Sequence, residues 1–167
     1  MLILYFISVT IHILFAAIWF GGSVLVILLY QHESKSINYF RSDSSNNYSM
    51  IQAFRKLSWV CFFLLFVTGL YNLFVRGYSW YDLFSSEFWV GYFGETLLVK
   101  LVLFAWVLTS AIVNDYLLRN LIAGKLYIKT EETIRLFQRS LFLLRANLVL
   151  GFCILICAVM LVRGRPW

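Results

Sequence analysis

Residues 11–26 read "IHILFAAIWFGGSVLV", and this run decides the fold. It holds one ionisable side chain, His12, and extending it outward to Leu2 and Tyr30 adds no Asp, Glu, Lys or Arg. A bilayer core about 30 Å thick is crossed by roughly 20 apolar residues in a helix, so the run is long enough to span. Lipid-facing helix has no use for a histidine, a tryptophan seven residues later at Trp19, or the pair Gly21 and Gly22. Those residues therefore belong to an inward face.

The rest of the chain agrees with that reading. Of 167 residues, 62% are hydrophobic and 13% charged, a balance that excludes an ordinary water-soluble domain. Four segments, near residues 3–30, 57–75, 94–117 and 142–163, approach spanning length. Alternation of apolar and polar residues, the signature of a membrane barrel, is absent, so backbone polar groups must be satisfied within helices. The expected class is all-α, an integral membrane four-helix bundle forming one transmembrane domain over residues 1–167.

The first segment lacks a basic n-region and a small-residue cleavage site, which argues for a retained helix rather than a cleaved signal. Lys35, Arg41, Arg55, Lys56, Arg119, Lys125, Lys129, Arg135 and Arg139 fall on one side of the membrane. Arg76, Arg163 and Arg165 fall on the other. The positive-inside rule then puts both termini outside, in a multi-pass protein of the bacterial inner membrane. These loop charges account for the net charge of +6, with the lipid bilayer as partner and no nucleic acid implied.

Residues 42–49, "SDSSNNYS", read as a flexible connector, and "TEETIRLFQRS", residues 130–140, as a helical lead into the fourth span with Thr130 as N-cap. The outer segment "GYSWYDLFSSEFWVGYFGE", residues 77–95, is dense in aromatics that suit a membrane interface or a short surface helix.

Ionisable groups inside membrane helices are functional candidates by default. His12 lies ~14 Å and Lys100 ~9 Å from the outer ends of their helices, at about 1.5 Å per residue. Thr68, Gly69 and Asn72 of the second span reach the same level. His12, Ala16 and Trp19 share one helical face that Gly22 and Ser23 continue, with small residues allowing close approach of another helix. The plain alternative is an interhelical hydrogen bond from His12 and core filling by Trp19. A second polar group, Asn114, Asp115, Arg145 and Asn147, suits structural pairing of the third and fourth spans, Asp115 with Arg145 in particular. Cys153, Cys157 and Met160 form a soft stripe that suits Cu(I), although Cys is also a common small apolar residue in such helices. Cys61 completes a set that buried positions make unsuited to disulfides.

"HILFAAIWFGG", "LLVKLVLFAWVLTSAIVNDYLL" and "RANLVLGFCILICAVMLVRG" together resemble the copper resistance D (CopD) family. The resemblance implies a role in copper transport or resistance, with His12 as copper ligand and Trp19, Gly22 and Lys100 in the same site. The chain is also similar to HemJ-type protoporphyrinogen oxidases, which have a first-helix histidine, a tryptophan seven residues on and a third-helix lysine. That likeness implies haem b, with His12 as axial ligand and Lys100 meeting a propionate or carrying a proton. The double glycine and the "RAN" start of the fourth span favour the copper group, whereas outer methionine-rich or histidine-rich segments are missing. His32 has a HemJ-like counterpart in roughly its place. A third reading is a small structural subunit that forms a homo-oligomer or packs beside a partner membrane subunit through its glycine face. Copper ion and haem b both stay open at this point.

Overall fold

The computed structural model describes residues 2–34, 44–123 and 130–163. The side chains of His32 and Arg119, together with Lys35, Arg41, Lys125, Lys129, Arg165 and Pro166, lie outside what it describes. Four long helices, α1 (Leu2–Ser34), α2 (Ser44–Val75), α5 (Tyr92–Ala123) and α6 (Thr130–Arg163), carry the candidate spans Ile3–Leu29, Met50–Val75, Tyr92–Leu117 and Gln138–Arg163. Two short helices, α3 (Trp80–Phe84) and α4 (Ser86–Val90), fill the segment between the second and third spans. Among the described residues there is no strand, in keeping with an all-α membrane protein.

Residues 44–49, expected as connector, are instead the first turns of α2. Ser and Asn cost a helix only fractions of a kcal/mol each, and the long apolar segment that follows supplies a helix already nucleated for them to join. The lead into the fourth span is helical as expected, but α6 starts at Thr130, making it the first helical residue rather than the cap.

Exposed apolar side chains surround the helices: Phe6, Ile13, Val60, Phe63, Trp106 and Phe152 all present most of their surface outward. In water such a surface would aggregate, whereas in lipid it is the solvated face. The protected residues combine apolar groups such as Trp19, Val26, Phe62 and Val107 with many small polar ones. Ser8, Ser23, Thr68, Thr96, Ser110, Asn114, Ser140 and Asn147 are all buried, whereas in soluble proteins such residues are mostly exposed.

The chain separates into two compact units, Met1–Gly94 and Glu95–Trp167. In the first, α1 and α2 form a closely packed hairpin. Its contacts descend α2 as they ascend α1: His12 meets Thr68, Trp19 meets Phe62, and Gly22 faces Phe54. That order makes the pair antiparallel. Trp19 is buried with its ring centroid 5.4 Å from that of Phe62, and Ser23 Oγ donates back to the Trp19 carbonyl at 2.8 Å. A Cβ at Gly22 would fall on the Phe54 ring, whereas one at Gly21 would meet nothing within 4 Å. Only the second glycine of the pair thus serves the close approach.

α2 ends where Gly77 takes φ +92°, a left-handed conformation that glycine adopts without a Cβ penalty, and its N–H donates to the Phe74 carbonyl at 3.0 Å. Beyond it, Tyr78 stacks on Phe93 with centroids 4.6 Å apart, and Trp89 Nε1–H donates to the Leu83 carbonyl at 2.9 Å, tying α4 to α3. Ser79 N–H and Oγ–H both donate to Asp82 Oδ2, at 2.6 and 2.9 Å. The backbone bond first, and then the hydroxyl, hold the Asp82 carboxyl below its ordinary range. The capping interaction is therefore complete above the ordinary carboxylate range and is lost as pH falls through the lowered Asp82 value. The Ser79 amide proton shift should follow that acid step in an NMR titration, and Asp82→Asn should abolish the step.

In the second unit, Asn114 of α5 accepts a hydrogen bond at Oδ1 from Ser140 Oγ of α6 at 2.6 Å, and both residues are buried. Lys100, early in α5, lies near Cys157, late in α6. The two relations run in opposite order along the helices, so α5 and α6 are antiparallel.

Candidate functional site

His12 carries the one imidazole in the described part of the spans, and the hairpin bears on which of its nitrogens is basic. Nδ1 lies 2.7 Å from Thr68 Oγ1. A threonine hydroxyl has one proton, and that of Thr68 is donated to the Leu64 carbonyl at 2.6 Å. With that bond made, Oγ1 accepts from the ring, an arrangement that favours the His12 tautomer with its hydrogen on Nδ1. A neutral ring then has its lone pair on Nε2. This is how an outer hydrogen bond sets tautomer and ring orientation for a metal-binding histidine.

Around the ring the hairpin is made of small and polar residues. A Cβ at Gly69 would stand 3.5 Å from His12 Cε1, an ordinary contact, so this glycine keeps the ring's flank narrow without being sterically demanded. Ser8 and Asn72 lie one turn from His12 and Thr68 toward the same end of the hairpin. Trp19 and Gly22, grouped with His12 by spacing, sit two to three turns deeper in packing contacts with Phe62 and Phe54.

In the second unit Lys100 is half-buried on α5 and in electrostatic range of Cys157. Cys153, Cys157 and Met160 follow one another along the less exposed side of α6, with Phe152, Ile156 and Val159 facing outward. Cys61, Cys153 and Cys157 are free thiols. Among the described residues no group of three or more His, Cys, Asp and Glu assembles that could hold a metal ion. His12 therefore offers a single imidazole rather than a closed structural site.

At the other end of this unit the buried polar contact between the two helices is made by Asn114 and Ser140. Arg145 is exposed on α6. Exposure lets the guanidinium extend toward the membrane surface. Asn147 Oδ1 and Ser110 Oγ are buried with no hydrogen-bond partner among the described residues. Ser140→Ala would leave the Asn114 amide oxygen without its donor, and we expect it to destabilise the chain by about 1–3 kcal/mol. A lowered thermal midpoint in detergent, with helix content unchanged at low temperature, would register this.

Ser140 and Ser8 carry no signal in the sequence beyond being serines in apolar helix. Ser8 could have been singled out as the residue four before His12, on the same face.

A family model described as CopD, copper resistance protein D, matches residues 48–161, more than half of the chain. The match takes in Thr68, Lys100, Asn114, Arg145 and Asn147 and begins after α1, leaving His12 outside it. No curated protein and no solved structure matches the chain.

Proposed function

We propose that this chain, which belongs to the copper resistance protein D family, moves copper across the membrane as cargo and that His12 is the ligand that receives it. Membership makes it a copper-related, multi-pass membrane protein, and the ligand and direction of movement are the proposal. The observation that carries it is the His12–Thr68 hydrogen bond, because it orients the one described imidazole of the spans and favours Nε2 as its basic nitrogen. Imidazole binds both copper oxidation states, and a single fixed donor suits an ion that must leave again. The soft donors Cys153, Cys157 and Met160 form a second set of the right chemistry for Cu(I) on α6. Loop charges favour both termini outside, which would open the His12 end of the hairpin to the outer face.

The test uses the full chain purified in detergent and reconstituted into vesicles. Elemental analysis after copper loading should find near-stoichiometric metal, and copper should accumulate in vesicles beyond the protein-free control. Apo-like protein after loading, with no uptake, would overturn the reading. A Soret absorption band in protein made with full haem supply would move the site to haem b.

A further inference from the structure

Several hydroxyls in these helices bond within their own helix, whereas those of Ser8 and Ser110 do not. Thr10, Ser23, Ser58, Thr68 and Thr109 each donate to the carbonyl four residues earlier, at 2.6 to 2.9 Å. This is the usual way a hydroxyl satisfies itself inside a membrane helix. Ser8 is only 8% exposed, yet its Oγ has no partner among the described residues. Its hydroxyl is not spent on its own helix. On α2, Asn72 Oδ1 is buried in the same unpartnered state.

The register of the hairpin brings these two oxygens to one level. His12 bonds Thr68, and the helices are antiparallel, so four residues before His12 lies opposite four residues after Thr68. Those positions are Ser8 and Asn72. Each is one turn, about 6 Å, from the His12–Thr68 bond, toward the end where α1 begins and α2 finishes. Asn72 is three residues from Val75, the end of α2, so the level lies within about a turn of that end.

A buried hydroxyl and a buried amide oxygen facing one level, yet not bonded to each other, cost several kcal/mol in hydrocarbon unless something with both donor and acceptor capacity joins them. Water has that capacity, and internal waters characteristically occupy such positions. We propose that Ser8 Oγ and Asn72 Oδ1 bind a water molecule between α1 and α2, giving His12 aqueous contact with that end of the hairpin. The site's value to the protein rests on His12 being the working ligand: the ion and the ring's proton reach it through a polar step instead of lipid.

The test compares Ser8→Ala, Asn72→Leu and the double variant in the full chain, in phosphatidylcholine nanodiscs. If water joins the two groups, each single change strands the water and the remaining oxygen, and the thermal midpoint falls. The double change removes both polar groups together and returns it toward wild type. If the oxygens bind nothing, each single change removes a buried polar cost and the midpoint rises, which overturns the proposal. Should Asn72→Leu fail to fold, Ser8→Ala, which deletes a single oxygen, gives the same sign test. The second readout is carbethoxylation of His12 by diethylpyrocarbonate, followed by peptide mass spectrometry. We expect the double variant to react severalfold more slowly, and an unchanged rate would also overturn the proposal. Neither readout involves copper, so the copper reading can fail while this site stands.

Discussion

His12→Ala is expected to reduce copper uptake into vesicles to the protein-free background and to remove the copper retained by the detergent-purified chain. The change deletes the only described imidazole in the spans. Cys61, the hairpin's one thiol, is fully buried at the level of Trp19. Thr68→Val separates ligand from support. It keeps the shape of the side chain and removes the acceptor that holds Nδ1–H, so the ring can turn and exchange tautomers. Loss of such an outer hydrogen bond typically weakens metal affinity about 10–100-fold. Thr68→Val should therefore bind copper more weakly but still transport at saturating concentration, whereas His12→Ala should not. Full uptake by His12→Ala, with loss confined to Cys157→Ser, would transfer the ligand role to the soft stripe of α6.

Gly94→Ala is expected to be among the most disruptive single-methyl additions in the chain, lowering stability by about 1–3 kcal/mol or more. A Cβ there would run into the Phe88 carbonyl oxygen and stand 2.8 Å from the Phe88 carbonyl carbon and 2.9 Å from Trp89 Cα. Backbone cannot rotate away as a side chain can, so either α4 or the first turn of α5 must shift. The Tyr78–Phe93 stack and the Trp89 bond to Leu83 would shift with it. Gly91→Ala is the matched control three residues away, where the nearest atom is the Phe88 carbonyl oxygen at 3.6 Å, an ordinary contact. Gly22→Ala falls between them, because the Phe54 ring that it meets is a side chain that can turn. Thermal midpoints in detergent should rank Gly91→Ala above Gly22→Ala, and Gly22→Ala above Gly94→Ala. Equal midpoints for Gly91→Ala and Gly94→Ala would remove the steric account.

The level of the His12 site was readable because depth in a spanning helix is arithmetic: residues from the membrane end times the rise. That arithmetic placed Thr68, Gly69 and Asn72 beside His12, and the hairpin has Thr68 bonded to the ring with Gly69 at its edge. Rotation was less accessible. Grouping His12 with Trp19 and Gly22 by helical spacing identified the face that α1 buries, but not that its deeper part serves packing against Phe62 and Phe54. In the same way the polar group Asn114, Asp115, Arg145 and Asn147 was legible, but not that Ser140 is the residue to which Asn114 bonds across to α6. Near a helix end a long basic side chain can satisfy itself outside, whereas a short amide cannot. The family match agrees with the resemblance carried by the third and fourth spans, and it stops short of the first-helix motif that had drawn the most notice.

Long apolar runs with few charges and the absence of alternating patterning determined by themselves that this protein crosses a membrane as four helices. In hydrocarbon no other structure satisfies the backbone. They also marked His12 as an expensive residue needing a partner. Which atom that partner supplies was a tertiary matter. It depends on the antiparallel register of α1 and α2 and on Thr68 giving its only proton to Leu64. The bonds favour Nε2 as the basic nitrogen of His12 and the register leaves Ser8 and Asn72 level with each other one turn away, and neither follows from one helix read alone.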